Sequence, residues 1–227
     1  MFILHIANKN YSSWSLRPWL LMRSLNIPFQ EQIHPFSATT GGWDDFRHFS
    51  PTGKVPCLED GAIRVWDSLA ITEYLAESYP QIWPADKTAR AWARSAAAEM
   101  HSGFNHLRNT CGMSCGHRIK LHEISADLQK DLDRINELWN QGLTQFGGPF
   151  LTGKNFTAAD AFFAPVVFRC QTYSLPLSEP SHQYLLHMLA QPGMQEWYDE
   201  GLKETWRDPS HEQDVLAAGT LLADLRH

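Results

Sequence analysis

Three hydroxyl side chains, Ser12, Ser13 and Ser15, crowd into the stretch Tyr11-Ser12-Ser13-Trp14-Ser15-Leu16-Arg17-Pro18-Trp19. The stretch follows a short apolar run and opens a helical pattern. Free backbone N–H groups at a helix start, together with the positive end of the helix dipole, favour an anion, and a nearby hydroxyl can donate to it. A thiolate is one such anion. The chemistry on offer is thiol activation; the alternative is that the hydroxyls only satisfy turn backbone. Pro18 lacks an N–H and clashes with the carbonyl four residues back, so it fits within a first helical turn. That makes Ser15 the earliest N-cap and leaves Ser12 and Ser13 in the loop at the helix mouth, free to face a ligand.

Two further clusters could meet a small peptide. In Gly53-Lys54-Val55-Pro56 the proline heads a strand, cannot donate to a ladder and is a candidate for a cis bond. In that form the Val55 N–H and C=O turn outward, free for an extended ligand. Asp67-Ser68 opens a helix, where the pair either caps alone or also presents a carboxylate and a hydroxyl to a bound molecule.

These groups need a scaffold, and the pattern supplies one. Residues 2–7 read as a strand, 15–25 as a helix and 29–34 as a second strand, an opening that implies a parallel pair with a crossover helix. A Thr- and Gly-rich loop and a short helix over 43–49 follow. Asp60-Gly61 is a hairpin turn that pairs 55–59 with 62–65, and a helix runs on to about residue 79. Pro80-Gln81-Ile82-Trp83-Pro84 breaks the pattern. The expected organisation is an α/β domain over residues 1–80, a linker over 81–86 and an all-α domain over 87–227. Helices are expected over 88–109, 124–145, 158–172 and 193–204, with no strand pattern after the boundary. Thr157 and Asp160 form a capping box, and the helix they open carries almost no charge except Arg169, which marks it as the buried core.

Composition excludes several classes. The 227 residues carry a net charge of −6 with no basic run, which argues against nucleic acid or an anionic membrane as partner. No segment approaches the ~20 apolar residues of a membrane span and the start lacks signal-peptide features, so a cytoplasmic protein is expected. Cys57, Cys111, Cys115 and Cys170 are too few and too irregular for a disulfide framework and read as free thiols, and no metal is expected.

Taken in order, the hydroxyl turn, the Val-Pro strand start, the acidic-Ser helix start and the helical second half resemble the soluble glutathione transferases over essentially the whole chain. The turn is most similar to the zeta class, whose Ser-Ser-Cys-Ser-Trp-Arg is matched by Ser12-Ser13-Trp14-Ser15-Leu16-Arg17. The resemblance implies a thioredoxin-like first domain, glutathione as substrate or cofactor, and a homodimer. It implies that Ser12 donates to the glutathione sulfur, with Ser13 close second and Ser15 as cap. The cysteine backbone of glutathione would pair with Val55 beside Pro56, its γ-glutamyl carboxylate would meet Ser68, and its ammonium Asp67. Lys54 either assists at the glycine carboxylate or is merely solvated.

Two departures bear on the reaction. Trp14 stands where the zeta motif has cysteine, which disfavours a covalent disulfide mechanism. The arginine that zeta isomerases carry on the core helix falls at Thr172, with Arg169 one turn earlier. Arg169 either substitutes or is a structural arginine paired with a carboxylate, and the second is the expectation. The electrophile site would form around Met100, Phe104, Arg108 and Met113, unless these are core. Three functions follow: a serine-type transferase acting on a small hydrophobic or dicarboxylate electrophile, a glutathione-dependent isomerase of a maleylacetoacetate-like dicarboxylate, or a non-catalytic binding module on the same fold.

Overall fold

The computed structural model describes residues 1–36 and 43–226; the Thr- and Gly-rich loop of the sequence reading, residues 37–42, lies outside them. The first half contains β1 (Phe2–Ile6), α1 (Ser13–Ser24), β2 (Phe29–Ile33), α2 (Trp43–Phe46), β3 (Cys57–Asp60), β4 (Ile63–Trp66) and α3 (Ser68–Ala76). The strands form one mixed sheet in the order β2-β1-β3-β4. β1 runs parallel to β2, with Phe2 opposite Phe29 and Ile6 opposite Ile33, and α1 is the crossover between them. β3 is antiparallel to both of its neighbours, and Gly61 takes the left-handed turn conformation that the Asp60-Gly61 hairpin requires (φ 58°). This is the thioredoxin-like order expected from the sequence.

α1 forms because Leu16, Trp19 and Leu20 share a face, and all three are fully buried. Its start corrects the sequence reading: Ser13 is already helical, Ser12 is the N-cap, and Pro18 lies inside the helix. Pro18 removes only the bond to the Trp14 carbonyl, and burial of the apolar face outweighs that loss. Ser15 is not a cap. It is fully buried, and its Oγ accepts the Ala7 N–H at 3.3 Å and the Ser12 hydroxyl at 2.7 Å, so it braces the end of β1 against the helix.

The second half is helical, as expected: α4 (Lys87–Ser102), α5 (Asn105–Thr110), α6 (Ala126–Phe146), α7 (Ala158–Tyr173), α8 (Glu179–Leu189), α9 (Pro192–Lys203) and α10 (Pro209–Ala217). One expected helix is two, because the chain turns at Gly103 and at Phe104, whose φ is 59°. A side chain at Gly103 would sit 2.9 Å from the Glu99 carbonyl. Arg108 then reaches back to close the end of α4, donating to the carbonyls of Gly103 and Met100. α7 is the core helix, opened by the Thr157–Asp160 box, with Asp160 also accepting the Leu151 N–H at 2.9 Å and the Tyr184 hydroxyl at 3.1 Å.

A small antiparallel sheet of β5 (His117–Leu121) and β6 (Gly219–Asp224) corrects the expectation that no strand follows the boundary. Its pattern is hidden because Leu221 and Leu222 are successive and both exposed, which erases the period of two. Just past β6, Arg226 reaches the Tyr11 hydroxyl at 3.1 Å and pairs with Asp224 at 2.7 Å and with Glu212 of α10. The two halves are also tied at Lys9, a buried lysine whose Nζ meets Glu31 at 2.8 Å and Glu200 of α9, beside the rings of Trp19 and Trp197. Among the described residues, no helix is long and apolar enough to cross a membrane.

Candidate active site

Two adjoining clefts share Trp14, Lys54 and Val55. The smaller, about 500 Å³, is floored by Pro56, Trp66, Asp67 and Ser68. The larger, about 610 Å³, is lined by Ser12, Ser13, Arg108, Arg169 and, from α10, His211. The structure therefore brings every sequence-expected glutathione contact to one continuous depression: Ser12, Ser13, Lys54, Val55, Pro56, Asp67 and Ser68.

Val55-Pro56 is a cis peptide bond. The β3 ladder begins at Cys57 rather than at Val55, so the Val55 N–H and C=O lack a partner among the described residues. Ser68 opens α3 and is fully buried, its Oγ accepting from Arg17 Nη1 at 3.4 Å. Asp67 takes a positive φ of 74° and caps the helix, its Oδ1 accepting the N–H groups of Leu69 at 2.8 Å and Ala70 at 3.3 Å. Its other oxygen faces His101 Nε2 at 3.4 Å. Burial lowers the His101 pKa, against the opposing pull of Asp67.

At the hydroxyl turn, Ser12 donates to Ser15 while the Ser13 hydroxyl has no partner among the described residues. Both line the larger cleft. Trp14 is the partition between the clefts. Its ring carries the Arg17 guanidinium at 4.2 Å and the Arg108 guanidinium at 4.9 Å, with His101 at its edge.

Behind this partition lie three arginines, Arg17, Arg108 and Arg169, and none has a carboxylate within ion-pair distance among the described residues. Arg17 is fully buried, and its Nε and Nη2 lack any partner among the described residues. Arg169 donates Nε to the Cys111 carbonyl at 2.8 Å and leaves Nη1 unpaired. Burial pushes all three guanidinium pKa values down: Arg17 strongly, with repulsion from Arg108 and Arg169 adding to it, Arg169 to about 10, with Arg108 adding to it, and Arg108 against the opposing pull of Asp131. Buried cations without a counter-ion are costly, and an anion entering the cleft would relieve that cost.

This corrects the expected role of Arg169. It is not paired with a carboxylate and it faces the larger cleft, whereas Thr172 is buried with its hydroxyl donated to the Ser114 carbonyl at 2.6 Å. Of the four residues expected around an electrophile, Arg108 and Met113 line the cleft, while Met100 and Phe104 belong to the core. The sequence reading missed His211 and Asp214, because α10 carries little apolar periodicity. Asp208-Pro209, a capping residue followed by a proline at the first helical position, was the available signal. All four cysteines are buried free thiols, and burial raises Cys57 to about 11 and Cys111 and Cys170 to about 12.

Residues 11–78 match the family model described as "Glutathione S-transferase, N-terminal domain", and residues 90–200 match "Glutathione S-transferase, C-terminal domain". Among curated relatives, the chain is 30% identical over 126 residues to Glutathione S-transferase Z1 of Arabidopsis thaliana, covering 54% of this chain and 57% of that one. It is 24% identical over 183 residues to Maleylacetoacetate isomerase of Rattus norvegicus, covering 78% and 81%. The chain thus spans little more than half the length of the plant relatives it matches. In fold it is similar to a glutathione transferase homolog from Burkholderia with bound glutathione, with a TM-score of 0.66, 20% identity, and 88% and 97% of the two chains covered. It is also similar to a diazinon-metabolizing glutathione S-transferase of Bombyx mori, with a TM-score of 0.69, 17% identity, and 88% and 97% covered.

Proposed function

The chain belongs to the glutathione S-transferase family, and from that premise we propose that it binds glutathione in the smaller cleft and activates its thiol at the Ser12-Ser13 turn for attack on an electrophile in the larger one. The observation that carries this reading is the unpaired Val55 backbone at the junction of the two clefts, between Ser68 and the hydroxyl turn. A glutathione cysteine paired with Val55 extends its γ-glutamyl end toward Ser68 and Asp67 and its sulfur toward Ser12. Lys54, exposed at the rim, meets the glycine carboxylate.

Ser12 donates to the sulfur and so favours the thiolate. Its proton points at Ser15 without ligand, but Ser15 Oγ carries a proton of its own while accepting from Ala7. Turning the two hydroxyls lets Ser15 donate to Ser12 and Ser12 to sulfur, with no heavy atom displaced. Ser13 backs it from the start of α1, where the helix dipole adds to the effect. Replacing Ser12 with Ala should reduce turnover strongly while glutathione still binds; retained turnover removes Ser12 from the reaction. If the wild-type chain neither binds immobilised glutathione nor turns over any electrophile, the reading gives way to a non-catalytic module.

A second reading is supported by Arg169, which lines the larger cleft with its Nη1 unpaired among the described residues. It is cis-trans isomerisation of a maleylacetoacetate-like dicarboxylate, in which the glutathione thiol adds to the double bond and leaves unchanged. Assaying both substrate types separates the two: conjugation without isomerisation rejects the second. The protein acts as a homodimer in this reading of the family, consistent with exposed Ile63 and Trp66 on the edge strand β4. Sedimentation at monomer mass would reject it.

A further inference from the structure

His211 is held in a way that a wall residue does not need. Its Nδ1 lies 2.5 Å from Asp208 Oδ2, and the same carboxylate oxygen accepts the His211 backbone N–H at 3.0 Å. The ring is clamped between Tyr11 and Phe36, with centroids 5.3 Å away on each side and interplanar angles of 22° and 19°. A carboxylate on Nδ1 fixes a proton on that nitrogen, so the proton that the ring gives up or takes on is the one at Nε2. Nε2 has no partner among the described residues, and the side chain is 43% exposed, so water can resupply it. The same cleft holds Ser12, Ser13, Arg108 and Arg169.

Resting on the reading that a glutathione thiolate forms at the Ser12 turn, we infer that His211 is the proton donor for conjugate addition to a carboxylate-bearing α,β-unsaturated carbonyl. The thiol gives its proton to solvent as the thiolate forms. The sulfur lone pair makes a C–S bond at the β carbon, the C=C π bond breaks, and its electron pair moves onto the carbonyl oxygen as an enolate. The enolate collapses as its α carbon takes the Nε2 proton of the His211 imidazolium; the neutral ring left behind, its remaining proton on Nδ1 against Asp208, then takes up the proton that the thiol released to solvent. The sum is one thiol added across one double bond, with nothing oxidised or reduced. Arg169 and Arg108 hold the substrate carboxylate and leave the enone between sulfur and His211. Displacement of chloride from an activated aryl ring forms the same C–S bond but calls for no protonated carbon. Asp208 acts through His211 and is a positioning residue.

The test compares two reactions of the same protein: addition of glutathione to ethacrynic acid and displacement of chloride from chlorodinitrobenzene. In His211→Gln and in His211→Phe, which keeps the ring between Tyr11 and Phe36, the ratio of addition to displacement kcat should fall about tenfold or more, in the range of a lost general acid. A smaller change in that ratio, including an equal loss of both reactions, overturns the assignment. A wild-type chain that displaces chloride but does not add to the enone overturns the His211 assignment alone. One that does neither overturns the glutathione reading with it.

Discussion

Glu204 of the helical half grips the backbone of Lys9: its Oε1 accepts the Lys9 N–H at 2.5 Å, and its Oε2 accepts the Asn10 N–H at 3.1 Å. The turn that leads into Tyr11 and Ser12 is thus held from across the molecule, and Trp197 of α9 holds it again through the Lys9 carbonyl at 2.7 Å. Glu204→Ala leaves two buried N–H groups unpaired, at about 1–3 kcal/mol each. A loss of about 2–6 kcal/mol is expected in urea unfolding, and a loss below about 1 kcal/mol would show that water replaces the carboxylate.

The two turn hydroxyls should separate by the ionisation of bound glutathione. Ser12→Ala should raise the thiol pKa in the complex and lower kcat by about ten- to a hundredfold. Ser13→Ala should do less on both counts. Ultraviolet titration of the bound thiolate reads this directly, and the reverse order would move the catalytic role to Ser13.

Arg169→Met keeps much of the buried stem and removes the charge. Hydrogen bonds to a charged group are worth about 1.5–3 kcal/mol, so kcat/KM for a carboxylate-bearing electrophile should fall at least about tenfold more than for a neutral one. Equal losses on both would make Arg169 a packing residue.

The stability of the fold should depend on His34. Its Nε2 lies 2.9 Å from His5 Nδ1, its ring stacks on Phe49, and burial, with His5 and His48 nearby, lowers it to about 4. An unfolded histidine titrates near 6.5, at about which pH the unfolded chain begins to take up protons that the folded one refuses. Stability is therefore fully present above about pH 6.5 and falls as the pH drops toward 4, where the loss levels off. Thermal melts across that window should show the fall, and His34→Phe, which keeps the stack, should flatten it. An unchanged slope in His34→Phe assigns the dependence to other groups.

Local signals carried the first half of the fold and most of the candidate site. The Asp60-Gly61 turn, the Asp67 cap and the Thr157–Asp160 box each act within a few residues, and each stands in the structure where the pattern put it. Long-range partners were not legible. The local pattern makes Ser15 a cap because nothing within a few residues shows that Ala7 lies beside it. Burial of a lone charge is expensive, so the sequence points to a carboxylate for Arg169, and only the assembled cleft shows none within ion-pair distance among the described residues. α10 and β6 owe their place to Arg226 and its partners, contacts that cross more than a hundred residues to Tyr11 and His117 and leave no periodicity behind.

That last contact draws the larger cleft from opposite ends of the chain. Residues up to the end of α9 supply the hydroxyl turn, the cis-proline strand and the core arginine, and α10 supplies the wall of His211, Asp214 and Val215. β6 pairs with β5, and Arg226 closes on Glu212, Asp224 and Tyr11. The residues proposed to meet glutathione thus lie within residues 12–68, and the α10 wall that completes the larger cleft lies within residues 209–217.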